Sequence, residues 1–137
     1  MTQATSTLFV YGTLRRRSRL PMARMLVERA AFLGEAKTAG RLYDLGRFPA
    51  AVPTEIVEEW IFGDLYRLDL SSSLLEELDR YENGESPADA RFERRIANVI
   101  LLPEVSPAKA WIYWFVGPMP QARQIASGRY DKNFSEP

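Results

Sequence analysis

Phe9-Val10-Tyr11-Gly12-Thr13-Leu14 is the stretch on which the reading of this chain turns. From Thr7 to Tyr11 the residues are β-branched, aromatic or aliphatic with no charge among them, the pattern of a short buried strand. Gly12 breaks that strand, and Arg15, Arg16, Arg17 and Arg19 follow at once. A strand that stops at a glycine leaves its next N–H groups without ladder partners. If Gly12 takes a backbone conformation closed to other residues, those N–H groups converge on one point and can hold an anion or an oxyanion. An ordinary strand-ending turn fits the same residues, so the choice between the two rests on what lies downstream.

Composition narrows that choice. A chain of 137 residues suits one domain with one substantial core, and 46% hydrophobic and 12% aromatic content place it among folded globules. Lys plus Arg and Asp plus Glu number 18 each, so net charge gives no pull toward nucleic acid or acidic membranes. No apolar run reaches the length of a membrane span. Met1 to Ser6 lacks the basic and apolar regions of a signal peptide. The expectation is a cytoplasmic protein with neither nucleic acid nor membrane as partner. The absence of cysteine excludes disulfides, thiolate catalysis and cysteine metal sites. The absence of histidine removes the commonest general base, the Ser-His-Asp triad and the usual ligands of zinc, iron and copper. Catalysis must then use carboxylates, tyrosine, lysine, arginine, hydroxyls or backbone amides. A carboxylate-only magnesium or calcium site stays open to such a chain, but no Asp/Glu spacing suggests one.

Along the chain, Pro21 suits the first turn of a helix that carries Met22, Met25 and Leu26 and ends near Ala31. The arginines before it read as a solvated loop. Phe32 to Leu45 reads as extended, with a strand at Gly40 to Leu45. Gly46 to Pro53 reads as an irregular apolar loop, because two prolines in five residues argue against a central strand. Such a loop covers a core or lines a pocket. Trp60 to Leu68 is the next strand, with Gly63 as a candidate bulge. Ser71, Ser72 and Ser73 offer N-caps to a helix, Ser73 and Glu76 forming a capping box. Leu74, Leu75, Leu78 and Tyr81 share its apolar face, and Asn83 or Gly84 supplies its left-handed cap. Phe92 to Leu102 and Ala108 to Val116 form a hairpin. Ile125, Tyr130 and Phe134 are anchors in a polar tail. Five to seven strands and two helices in irregular order argue for an α+β fold with a strongly curved or closed sheet rather than a doubly wound one.

Glu82 stands out among the carboxylates. It falls at a helix C-terminus, the electrostatically wrong end for an acid, at a penalty of about 0.3–1 kcal/mol that exposed glutamates also tolerate.

Taken in order, Tyr11-Gly12-Thr13-Leu14, Gly40-Arg41-Leu42-Tyr43-Asp44-Leu45-Gly46-Arg47-Phe48-Pro49, Gly63-Asp64-Leu65-Tyr66 and Leu78-Asp79-Arg80-Tyr81-Glu82 resemble the γ-glutamylcyclotransferase-like family. Arg94-Arg95, Ala110-Trp111-Ile112-Tyr113 and Ser127-Gly128 continue the pattern, and the similarity covers about residues 7 to 130 of a single domain. The resemblance implies a small mixed β-barrel flanked by two or more helices, with a cavity at one end. It implies that Tyr11, Gly12, Thr13 and Leu14 bind substrate, with Tyr113 and Tyr130 beside them, and that Glu82 is the acid/base. It also implies cleavage of a γ-glutamyl amine or peptide to 5-oxoproline without metal or cofactor. The sequence departs from the family at Arg129, where an aspartate is common, and in its arginine run. A non-catalytic ligand-binding or interaction module on the same fold is the alternative. The amine partner and the oligomeric state are not legible.

Overall fold

The uncharged run near the start of the chain is β1 (Thr7–Val10), and it is uncharged because both of its faces are covered. Leu8 and Val10 belong to one core cluster, and Phe9, with Tyr11 just beyond the strand, to another. Successive strand residues point to opposite sides, so a strand wrapped on both sides has no position for a polar residue.

The structure is a computed structural model that describes residues 6–16, 18–46, 48–56, 58–69, 73–83, 91–117 and 122–130. After β1 come α1 (Pro21–Arg29), β2 (Ala31–Ala39), β3 (Arg41–Asp44), β4 (Pro49–Val52) and β5 (Trp60–Arg67). They are followed by α2 (Leu74–Asn83), β6 (Phe92–Leu101), β7 (Ser106–Phe115) and β8 (Arg123–Gln124). Five strands close a barrel in the order β1-β5-β2-β6-β7. Its pairings are antiparallel except the closing one, where β1 runs parallel to β7 with Leu8 opposite Trp111. The other three strands form a separate antiparallel sheet in the order β4-β3-β8. The fold is thus α+β, a mixed barrel with two helices among the described residues. None of these helices is long and apolar enough to cross a membrane.

The first core cluster lies where the helices meet the barrel. Leu26 of α1 and Leu74 and Leu78 of α2 pack with Leu8, Val10, Tyr66 and Leu68. The second cluster is built mainly by strand residues, among them Phe9, Ile61, Leu65, Ile112 and Trp114. Along β7 the alternation is regular, with Tyr113 and Phe115 in the first cluster and Ile112 and Trp114 in the second. Arg29 of α1 donates to Glu77 of α2 at 3.0 Å, which joins the helices.

Several local expectations change. Pro49–Val52 is a strand, paired with β3 from Arg41↔Val52 to Asp44↔Pro49. The prolines do not prevent it, because Pro49 opens an edge strand, where a missing N–H breaks no ladder. The bulge expected at Gly63 lies on the partner strand, between Phe32 and Gly34. Gly63 stays in register opposite Ala36. It is glycine because β1 runs so close that a Cβ would overlap the Val10 carbonyl and stand 2.8 Å from a Phe9 ring carbon. Ser73 donates its hydroxyl to Glu77 at 2.8 Å instead of boxing with Glu76. Tyr81, expected on the inward face, is 41% exposed. Helix α2 runs through Asn83, and Gly84, Ser71, Ser72 and Phe134 lie outside the described residues.

Candidate active site

Five segments converge on one cavity. β1 contributes Phe9 and Val10, and the chain just after it contributes Tyr11, Gly12, Thr13 and Leu14. Phe48 and Pro49 enter from the start of β4, Glu82 from the last turn of α2, Phe92 from β6 and Tyr113 from β7. The space, counted with its open mouth, is about 360 Å³. A wider groove continues from it along Thr13, Phe48, Glu82 and Phe92, and adds Leu20, Tyr81 and Arg91.

The structure therefore brings together Tyr11, Gly12, Thr13, Leu14, Glu82 and Tyr113. Tyr130 does not line the cavity. It is buried in the second core cluster, where a ring carbon stands 3.8 Å from the place a Cβ on Gly12 would occupy. The reason for glycine at position 12 also changes. Gly12 does not adopt the left-handed backbone conformation. A Cβ there would lie 2.8 Å from Pro49 Cδ and nearer still to Cγ, so close approach, not φ, demands the glycine.

The turn after Gly12 is pinned from outside the cavity. The Arg15 N–H donates to the Gly12 carbonyl at 3.0 Å. Buried Asp64 accepts the Arg16 N–H at 2.7 Å and the Arg15 guanidinium at 3.0 Å. Arg15 also reaches Glu35 at 3.3 Å, and Glu35 accepts Arg129 at 3.0 Å. The arginine run is thus not uniformly a solvated loop. The Arg15 side chain is only 16% exposed, and its acidic partners come from strands far away in sequence. Arg16 and Arg19 are exposed, with the Arg16 guanidinium 4.2 Å from the Phe32 ring centre, and Arg17 lies outside the described residues. Among the described residues, no hydrogen bond of this turn uses the N–H of Gly12, Thr13 or Leu14.

Two tyrosines frame the cavity with committed hydroxyls. Tyr11 donates to the Tyr113 backbone carbonyl at 2.6 Å. Burial, reinforced by the charge of Glu82, holds its phenol well above the usual range. Tyr113 donates to Asp79 at 2.6 Å and is likewise raised, by burial first. Burial pushes the Glu82 carboxyl up to about 7, and Asp79 one turn earlier on α2 adds to the effect. A carboxyl poised there can take and return a proton near neutral pH. Among the described residues, no group of three or more carboxylates is gathered to hold a metal ion.

Phe48 and Pro49 lie in the apolar loop expected to cover a core or line a pocket, whereas Asp79, Phe92 and Arg94 had no role assigned from sequence. For Phe48 and Pro49 the signal was present in an apolar loop with no strand or helix pattern to explain it. Asp79 and Glu82 stand three residues apart, the spacing of helix neighbours. Which strand arginine meets Asp79 is a long-range fact that spacing does not carry.

A family model described as gamma-glutamyl cyclotransferase, AIG2-like matches residues 8–132. The chain belongs to that family. A search of curated proteins gave no match. Among solved structures, an AIG2-like protein from Mus musculus superposes with a TM-score of 0.73 at 22% identity, covering 94% of this chain and 90% of that one. PH0828 from Pyrococcus horikoshii gives 0.63 at 23% identity, covering 93% and 91%. YkqA from Bacillus subtilis gives 0.69 at 26% identity over 93% of this chain, which spans only 40% of YkqA. At these identities the mouse and Pyrococcus structures speak for the fold alone.

Proposed function

We propose that the protein is a γ-glutamylcyclotransferase-type enzyme that cleaves a γ-glutamyl amine or peptide into 5-oxoproline and the free amine. The observation that carries this reading is that one cavity holds the Glu82 carboxyl, raised to about 7, together with the Gly12–Leu14 turn.

The chemistry follows from the substrate class. The α-amine of a γ-glutamyl group attacks its own γ-carbonyl carbon, and the new C–N bond closes a five-membered ring. Glu82 accepts the proton released by the attacking nitrogen. It returns that proton to the departing nitrogen as the original γ-amide bond breaks, so the carboxyl ends as it began. One group serves both transfers because the two nitrogens flank the same tetrahedral carbon. Such acid/base help is worth about 10²–10⁴ in rate. The N–H groups of Gly12 to Leu14 are the donors for the developing oxyanion, each worth about 2.7–4 kcal/mol when aimed correctly. The cavity favours the folded γ-glutamyl conformer in which the α-amine reaches its own γ-carbonyl carbon, which raises the effective concentration of the amine.

Incubation with a panel of γ-glutamyl amines and peptides, read by mass spectrometry, tests the reading. The expected result is 5-oxoproline formed mole for mole with free amine by the parent and not by Glu82→Gln. Binding of these compounds without product would replace the enzyme with a ligand-binding module on the same barrel.

A further inference from the structure

Three side chains that the chemistry above leaves unused are locked together behind Glu82. Asp79 lies one turn earlier on α2. Arg94 of β6 grips it with a two-point fork, Nε to Oδ1 at 2.8 Å and Nη2 to Oδ2 at 3.1 Å. Tyr113 of β7 donates its hydroxyl to the same Oδ1 at 2.6 Å. Arg94 and Tyr113 face each other directly in the β6–β7 ladder, so two neighbouring strands hold one helix carboxylate at the same level. The Arg94 guanidinium lies 4.3 Å from the centre of the Trp111 ring, which restricts where it can swing. Tyr113 is meanwhile a wall of the cavity. A single carboxylate thus ties down both the helix turn that carries Glu82 and the aromatic ring facing it.

Stability alone does not account for this arrangement. The Asp79 and Arg94 side chains are 37% and 24% exposed, and ion pairs so open to water add little to folding. Placing a second carboxylate beside Glu82 also works against ionisation of Glu82, a disadvantage that a neutral residue would avoid. The arrangement makes sense through its effect on Glu82.

We propose that Asp79, Arg94 and Tyr113 form a positioning unit that fixes the direction of the Glu82 carboxyl in the cavity and sets the field in which it exchanges its proton. This rests on Glu82 being the acid/base of the proposed reaction. The two charges of the unit act in opposite senses. Asp79 favours the protonated form of Glu82, and Arg94 favours the ionised one. Among the described residues, the ionisable groups near Glu82 besides Asp79 and Arg94 are Tyr11 after β1, Tyr81 on α2, Tyr113 on β7 and Arg91 across the adjoining groove. The three phenols, neutral at working pH by their ordinary titration and raised further here, add no charge of their own.

The test changes each charge separately. Asp79→Asn keeps the shape and removes the negative charge, and Arg94→Gln leaves that charge without its fork. In titrations of carboxyl-labelled protein followed by NMR, the Glu82 midpoint is expected to fall by about 0.5–1 pH unit in Asp79→Asn and to rise by a similar amount in Arg94→Gln. The acidic limb of the kcat–pH profile should move with it. In both variants kcat should fall about tenfold or more while KM changes far less, as for loss of orientation. Tyr113→Phe, which removes only a hydroxyl, should lower kcat several-fold at an unchanged KM, and it carries the orientation test if Arg94→Gln does not fold. Midpoints and kcat that stay at the parent values in folded Asp79→Asn and Tyr113→Phe would overturn the unit. Full activity in Glu82→Gln would instead remove the acid/base reading. The NMR midpoints would still decide whether the unit sets the field on Glu82, because that titration requires no turnover.

Discussion

Replacing Glu82 by Gln should make the protein slower and, above neutral pH, more stable. Its carboxyl ordinarily titrates at 4.5 and here is pushed to about 7. Between those values the folded protein keeps a proton that the unfolded chain has released. The Glu82 contribution to stability therefore falls as pH rises from 4.5 toward 7 and is flat beyond. The full gap corresponds to about 3 kcal/mol, and partial access to water reduces it to about 1–3 kcal/mol. Glu82→Gln removes this penalty. At pH 8 the variant should melt higher than the parent by about 3–5 °C for each kcal/mol gained, a scale between those of smaller and larger domains. Below pH 4.5 the two curves should converge, since the parent carboxyl then becomes protonated whether folded or not. Turnover should move the other way, with kcat falling at least about 10²-fold, or about 2.7 kcal/mol of barrier. Scanning calorimetry of both proteins across pH 4–8, beside 5-oxoproline formation on a substrate the parent cyclises, measures both arms. Unchanged turnover in the folded variant would refute the catalytic role. A melting difference independent of pH would refute the buried, raised carboxyl.

Other substitutions probe the rest of the site. Gly12→Ala pushes a methyl into Pro49, so about 1–3 kcal/mol of stability should be lost together with most activity; wild-type melting and turnover would show that the turn has room. Arg15→Gln takes the guanidinium from buried Asp64 and leaves it, among the described residues, the Arg16 N–H, which should cost about 1–3 kcal/mol in urea unfolding, whereas exposed Arg19→Gln should change little. Equal effects at the two positions would contradict the anchoring role of Arg15. Leu78→Ala empties a fully buried site between α2 and the barrel and should cost about 2–5 kcal/mol; a smaller loss in chemical denaturation would mean that the helix is less firmly seated than its burial indicates.

Much of this molecule was legible before any coordinates. Local pattern was enough for β1, for Leu74 and Leu78 on the buried face of α2 and for the β6–β7 hairpin, because each is specified by residues close in sequence whose periodicity must match the face they bury. The chemistry available to the chain was bounded in the same way, since a sequence without histidine or cysteine must work with carboxylates, hydroxyls and amides. What local pattern could not supply was the set of partners. Pro49 opens a strand instead of a loop because β3 offers it an edge, and Gly12 is required because that same proline packs against it. Arg15 reads as solvated until Asp64 and Glu35 arrive from β5 and β2. Nothing near Asp79 in the sequence announces that Arg94 and Tyr113 meet it from adjacent strands. Tyr130 shows the converse, an aromatic near the right motif that the core takes instead of the cavity. Apart from the short β3–β4 hairpin, these outcomes depend on contacts between residues 15 or more apart in the chain, which only the tertiary fold brings within reach of one another.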